Sequence, residues 1–261
     1  MHPVSLHDPL QFKRAGTGIQ LTCSDAVLPT DSRNLVYRAA EAFLKLTGIS
    51  EGVQIHLEKK IPLAAGLGGG SGNAATTLLG LNQLFGGPAS QKQLTEIAAA
   101  IGSDVPFFLQ HKPALATGRG ERISPLELFP ALRGHYILLV HPGFGISTPW
   151  AYQQLSRFPA ALNGKPGRAE KLSSLLHCAD LSMAACEFYN SLEAPALHKY
   201  PLLVLFQEFF RDNGAAVTLM SGSGSTTFAL IRGLQSTETL LEKFKTQFGL
   251  KFWTAIAPIS E

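Results

Sequence analysis

Apolar and polar residues alternate along Val53-Gln54-Ile55-His56-Leu57, the two-residue period of a half-buried strand. Before it, Leu35, Ala39, Ala42, Phe43 and Leu46 share one helical face, and Gly48 supplies a stop. Ala74 to Phe85 reads as a second helix, capped by Asn73 and ended by Gly86-Gly87. Ser90 opens a third, running to about Ile101 and closed by Gly102. Tyr136–Val140 predicts a buried strand, followed by the loop His141-Pro142-Gly143-Phe144-Gly145. Helical spacing fills Ala169–Cys178, Leu181–Leu192 and Leu202–Asp212. Strands are expected at Val217–Met220 and Thr226–Ile231, around Ser221-Gly222-Ser223-Gly224-Ser225. A helix over Thr237–Phe248 and a strand over Phe252–Ile256 complete the pattern. Between Pro125 and Gly134 the periodicity fails amid two prolines and a glycine, which predicts a domain junction nearby. No internal repeat or low-complexity tract is present.

Composition narrows the class. Of 261 residues, 45% are hydrophobic and only 16% charged, where soluble domains average about 25% charged. Such a chain either buries a great deal or keeps a bland surface, and it is not disordered. Its longest apolar runs, near Tyr136–Val140 and Pro201–Phe206, fall far short of the roughly 18 residues of a membrane span. Met1-His2-Pro3-Val4-Ser5-Leu6 has neither the basic region nor the long apolar stretch of a secretory signal. The net charge of +3 is scattered, which argues against a nucleic-acid partner. Cys23, Cys178 and Cys186 are odd in number and lack a Cys-x-x-Cys spacing, so neither a disulfide framework nor a zinc site is expected. A reduced, cytoplasmic compartment is the simplest expectation.

The chemistry concentrates in Gly66-Leu67-Gly68-Gly69-Gly70-Ser71-Gly72, which no core packing requires. Backbone free of bulky side chains can approach a ligand closely, and its N–H groups, with those of a helix start, suit phosphate oxygens. Merely flexible linkage is the plain alternative; a periodic helix following at once argues against it. A Walker A loop needs a lysine after the glycines, and none follows. Gly70-Ser71-Gly72-Asn73-Ala74-Ala75 meets the dinucleotide pattern but does not directly follow a strand. The protein-kinase glycine loop would need His-Arg-Asp and Asp-Phe-Gly downstream, and neither occurs. What remains, Pro-x-x-x-Gly-Leu-Gly-Gly-Gly-Ser, is a different nucleotide loop.

The run Pro62–Ala75 resembles the ATP-binding signature of the GHMP kinase superfamily, which includes galactokinase, homoserine kinase and mevalonate kinase. Further stretches resemble, in the same order, one branch that phosphorylates a cytidine diphosphate-linked polyol of the non-mevalonate isoprenoid route. These are Asn34–Ala40, Gly102–Phe108, His141-Pro142-Gly143 with Ser147-Thr148-Pro149, and Ser221–Phe228. The resemblance implies a two-domain α+β fold: a nucleotide-binding domain over 1–130, a substrate-side domain over 131–261, and an active site in the cleft between them. It implies a cytoplasmic small-molecule kinase that uses ATP and Mg²⁺ on a cytidine diphosphate substrate, with no nucleic-acid or membrane partner. Monomer and homodimer both stay open.

Carried over residue by residue, Pro62, Leu63, Ala64, Ala65, Gly66, Leu67, Gly68, Gly69, Gly70, Ser71 and Gly72 would wrap the ATP phosphates. Asn73 would stand at the helix start, Lys59 or Lys60 near the nucleotide, and Asn34 near adenine. Asp104 matches the catalytic aspartate that accepts or orients the proton of the attacking hydroxyl; as a plain helix cap it would need no such setting. Tyr152 matches an aromatic that stacks on cytosine, with Thr148 nearby, against a plain core role. Gly222, Ser223 and Gly224 match the last glycine-rich motif, against a plain hairpin turn. No dedicated protein metal site is expected. Two departures stand out. Gly72 replaces a common second serine, and the family's opening Pro-Ala-Lys-x-Asn and Gly-Tyr-His motifs do not occur in this sequence. An N-terminally short chain with impaired activity is therefore expected. A degenerate kinase that binds nucleotide without turnover, and another GHMP kinase such as a homoserine kinase, are the alternatives.

Overall fold

A computed structural model describes residues 1–162, 167–178 and 180–259. The fold is α+β, and the chain divides into two compact units. One comprises Met1–Ile61 and Gly68–Glu127; the other comprises Pro62–Leu67 and Leu128–Glu261. The glycine-rich run is thus shared: its first part belongs to the second unit and its continuation from Gly68 to the first.

The first unit is built on the sheet β1-β3-β2, with β1 (Leu10–Ala15), β2 (Ile19–Cys23) and β3 (Gly52–Leu57). β3 is central, antiparallel to β1 and parallel to β2. Its Val53, Ile55 and Leu57 are buried while Gln54 and His56 face outward, as the alternation predicts. Between β2 and β3 runs α1 (Leu35–Thr47), which buries Val36, Ala39, Ala40 and Phe43. Asn34 caps it, its side chain accepting from the Val36 N–H, and Gly48 ends it in the left-handed region. Next come α2 (Gly69–Leu84) and α3 (Gln91–Ile101); Ser90 and Gln93 form a reciprocal capping box on α3. Gly80 of α2 lies against Phe12 of β1, where a β-carbon would come within 2.5 Å of the ring. A 3₁₀ turn (Val105–Leu109) and the ribbon of β4 (Ala114–Thr117) and β5 (Arg122–Pro125) complete this unit.

In the second unit, β6 (His135–His141) leads to α4 (Thr148–Leu155), α5 (Pro159–Leu162), α6 (Arg168–His177), α7 (Leu181–Ala185), α8 (Glu193–Lys199) and α9 (Pro201–Asp212). The hairpin β7 (Val217–Met220) and β8 (Thr227–Arg232), then α10 (Leu234–Phe248) and β9 (Trp253–Pro258), close the antiparallel sheet β7-β8-β6-β9. β6 has a neighbour on each side and buries Leu138, Leu139 and Val140 in succession. Against the sheet, Phe206 of α9 packs edge-on to Phe244, Phe248 and Phe252, with ring centroids 5.0, 5.1 and 5.2 Å apart. Truncating Phe206 to Ala would cost about 3–5 kcal/mol. Among the described residues no helix is long and apolar enough to cross a membrane.

Several expectations are corrected here. The second predicted helix starts five residues early, at Gly69, with Gly68 (φ 67°) as its cap position. Asn73 therefore lies inside α2, buried, and caps nothing. Leu181–Leu192 is not one helix: α7 stops at Ala185, and Asn190 turns away to bond the β7–β8 loop. His141 ends a strand rather than opening a loop. β1, β2, β4 and β5 were not anticipated from the alternation.

Candidate active site

Around the start of α2, the first unit assembles a charged scaffold beneath the glycines. A side chain at Gly68 would be strained: φ is +67°, and a β-carbon would sit 2.7 Å from the Phe108 ring. No side chain caps α2 and no acid occupies its first turn. The opening N–H groups and the positive end of the helix dipole are therefore available to an anion.

Lys59 lies just below. Its Nζ comes within 3.6 Å of the place a Gly69 β-carbon would take. The ammonium does not reach outward, because it bonds Asp8 Oδ2 at 2.6 Å and the Ile61 carbonyl. Asp8 Oδ1 accepts the backbone N–H groups of Lys60 (2.6 Å) and Ile61 (2.8 Å), and Oδ2 also accepts from Asn73 Nδ2 (2.9 Å). The Lys59 and Asp8 side chains are only 6% and 0% exposed. Burial alone would raise the Asp8 carboxyl, but the bonds from Lys59, Ile61, Lys60 and Asn73 outweigh it and hold the group below the usual carboxylate range. Lys60 instead makes an exposed pair with Glu58 at 3.3 Å, which contributes little. Asn34, expected near adenine, is occupied as the α1 cap and also donates to the Pro29 carbonyl.

Asp104 stands before the 3₁₀ turn, solvent-exposed. Its side chain makes no capping bond, which disposes of the plain cap. Gly120, at φ +114°, passes close by: a β-carbon there would lie 3.5 Å from Asp104 Oδ1. Ser71, in the first turn of α2, is partly exposed.

The second unit holds the other part of the glycine run against the β7–β8 loop. Ser221 Oγ donates to the Gly66 carbonyl at 2.9 Å, and the Thr226 N–H to the Ala65 carbonyl at 3.1 Å. A β-carbon on Gly66 (φ +74°) would sit 2.1 Å from the Ser221 carbonyl oxygen, and one on Gly222 2.9 Å from the Gly66 oxygen. These two glycines permit backbone to lie on backbone. Ala64 keeps a left-handed conformation (φ 50°) without being glycine, a local strain typical of functional loops.

Thr148 opens α4, whose cap is Ser147, and its Oγ1 lies 2.8 Å from Ser223 Oγ. Two residues expected at the substrate thus meet. Tyr152, four positions farther along α4, is 62% exposed and is not core. The 221–225 loop is more than a plain turn, because it is braced from outside the hairpin. Asn190 Nδ2 donates to the carbonyls of Met220 (2.8 Å) and Gly222 (2.7 Å). Glu193 Oε1 accepts from the Met220 N–H and from Gln207 Nε2, each at 2.6 Å. Burial pushes the Glu193 carboxyl above its ordinary range, the bonds from Met220 and Gln207 offsetting only part. Asp8, Asn190 and Glu193 carry no sequence signal for these bonds, since the groups they brace lie on distant chain.

The GHMP kinases N terminal domain model matches residues 34–112, from the α1 cap through the glycine run and Asp104. The 4-diphosphocytidyl-2-C-methyl-D-erythritol kinase of Synechococcus sp. (strain JA-2-3B'a(2-13)) is 39% identical, over 99% of this chain and 85% of that protein. This chain belongs to that kinase family, within the GHMP kinases. The enzyme of the same name from Syntrophus aciditrophicus (strain SB) is 40% identical over 93% of this chain and 85% of its own length. A crystal structure of 4-(cytidine 5'-diphospho)-2C-methyl-D-erythritol kinase superposes with a TM-score of 0.77 at 32% identity, covering 98% of this chain and 88% of that one. The homoserine kinase of Cytophaga hutchinsonii, with a TM-score of 0.74 but 21% identity, shares the fold. As a GHMP kinase, the protein is a small-molecule kinase, and ATP is its phosphoryl donor. Its free cysteines, Cys23, Cys178 and Cys186, are unbridged.

Proposed function

We propose that this kinase transfers the γ-phosphoryl group of ATP to the 2-hydroxyl of 4-diphosphocytidyl-2-C-methyl-D-erythritol, in non-mevalonate isoprenoid biosynthesis. The reading rests chiefly on the 39% identity that runs through 99% of the chain to an enzyme of that name. In this reading Asp104 is the base: its exposed carboxylate takes the hydroxyl proton as the substrate oxygen bonds to the γ-phosphorus. The bond from that phosphorus to the β,γ-bridging oxygen breaks, and ADP leaves. Positioning and charge stabilisation supply most of phosphoryl-transfer catalysis, so one acid suffices as base. Residues 62–72 would take the phosphates, with the uncapped start of α2 facing their charge. Tyr152 would stack on cytosine, and the Thr148–Ser223 hydroxyl pair with Gly222 and Gly224 would contact the substrate.

Mg²⁺ fits as an ion that arrives with the nucleotide. Among the described residues no group of three His, Cys, Asp or Glu side chains could hold a metal ion alone. Mg²⁺ commonly takes one or two carboxylates plus substrate phosphates. The Ser71 hydroxyl, in the first turn of α2, is the donor that would hold it beside the phosphates, which leaves Asp104 free as the base, and when bound the ion neutralises phosphate charge. The substrate domain over 131–261, the nucleotide domain over 1–130 and a cytoplasmic location belong to the same proposal.

The test is ADP release with the diphosphocytidyl substrate, compared with homoserine and mevalonate. Turnover is expected with the first alone. Asp104→Asn should lower kcat by about 10²–10⁴-fold while ATP still binds. Phosphorylation of homoserine in preference, or full activity in Asp104→Asn, would overturn the assignment.

A further inference from the structure

The two flanks of the glycine run are tied to one carboxylate. Lys59, Lys60 and Ile61 precede it, Asn73 follows it, and all four bond Asp8. Fixing both ends of a loop removes much of the freedom it would otherwise lose on binding a ligand. The two oxygens divide the task. Oδ1 takes the two backbone N–H groups of the segment that follows β3; Oδ2 takes the Lys59 ammonium and the Asn73 amide. Both of the latter are buried donors, one of them charged, and Oδ2 accepts from both while its charge balances the ammonium. Asp8 also keeps the Lys59 charge beneath Gly69, on the side of α2 where the helix dipole is positive.

We infer that Asp8 is a positioning residue for ATP: through Lys59 and Asn73 it presets the loop that receives the phosphates, touching no substrate itself. The inference rests on the kinase reading above but not on the identity of the phosphate acceptor. It predicts a defect specific to the nucleotide. A purely structural residue would weaken both substrates alike or act through stability alone.

Asp8→Asn keeps Oδ1 for the two backbone donors but turns an amide toward Lys59 and Asn73, donor against donor. The exchanged pair Asp8→Asn with Asn73→Asp restores one donor and one acceptor between the two positions and returns a negative charge to the buried cluster around Lys59. ATP binding is measured by calorimetry on the whole chain, alongside thermal unfolding and KM for each substrate. Asp8→Asn should weaken ATP by about 10–100-fold, the loss that removing the partner of a ligand-holding group typically brings, with KM for the acceptor nearly unchanged. The exchange should recover most of that loss. A folded Asp8→Asn that binds ATP like the natural protein, or that weakens both substrates equally, would overturn the inference. Should Asp8→Asn fail to fold, the exchanged pair decides: folding with ATP affinity near natural supports it, and folding without ATP binding, or no folding, refutes it. Because calorimetry needs no acceptor, ATP binding without turnover of the cytidine substrate would count against the proposed substrate and leave Asp8 standing.

Discussion

Two glycine-rich loops in this molecule are each braced by a buried or partly buried carboxylate, and the two carboxylates respond to burial in opposite ways. Asp8 braces the flanks of residues 62–72; Glu193 braces the shoulder of residues 221–225 at Met220. Asp8 has four donors, one of them an ammonium, and is held below the carboxylate range. Glu193 has two donors, both on Oε1, and burial raises it. The difference lies in the partner set. A carboxylate facing a buried cation must stay charged, whereas one that meets only neutral donors acts as an acceptor that an amide could replace.

Removing the charge of Asp8 tests the contrast most sharply. Asp8→Asn leaves Lys59 buried without its counter-ion, and breaking a buried pair this way costs about 3–5 kcal/mol. The sign follows from the lowered Asp8 carboxyl: its contribution is present above the unfolded pKa and is lost as pH falls through the folded one. The gap between natural and Asp8→Asn protein in chemical denaturation should therefore be widest near neutrality and narrow in acid. A gap that widens in acid would break the comparison.

Asn190→Ala comes next. It leaves the carbonyls of Met220 and Gly222 without their side-chain donor, a loss of about 1–3 kcal/mol. Tm should fall by several degrees; an unchanged Tm would mean that the 221–225 loop holds its own shape.

Glu193→Gln should matter least, because the amide oxygen can still accept both bonds that Oε1 accepts. The raised carboxyl means that the wild-type contribution is full below the unfolded pKa and fades as pH rises through the folded one. The mutant should therefore gain on the natural protein between acid and neutral pH, read as the difference in melting temperature at the two. A mutant that instead loses ground toward neutrality would show that the ionised form is required.

The elements legible in the sequence are those whose signals are local. The α1 stripe with Gly48, the Ser90 capping box and the alternation of β3 each sit within a few residues of the element they define. β1 escaped because it buries no residue fully, and β2 because Leu21 alone does so. The start of α2 escaped because glycines are poor helix formers, and only packing against Phe108 and Ile61 makes their lack of side chains useful. The glycine run and Asp104 were visible as motifs. Lys59 was visible as a charge but not as a buried one, since its partner lies 51 residues away. Asp8 itself, in His7-Asp8-Pro9, has nothing nearby to mark it.

That separation has a consequence for how the protein acquires its shape. The Asp8–Asn73 bond spans 65 residues, and between them lie the whole of β1, β2, α1 and β3. Local helices form within about a microsecond, whereas contacts between distant parts of a chain must first meet the entropy of closing a long loop. The carboxylate is made early in synthesis and waits for its last partner until α2 has begun to emerge. The bonds of Asp8 to both flanks of the glycine run thus await a long-range contact, and a rapid-mixing refolding experiment should find ATP binding recovered only after the helices have formed.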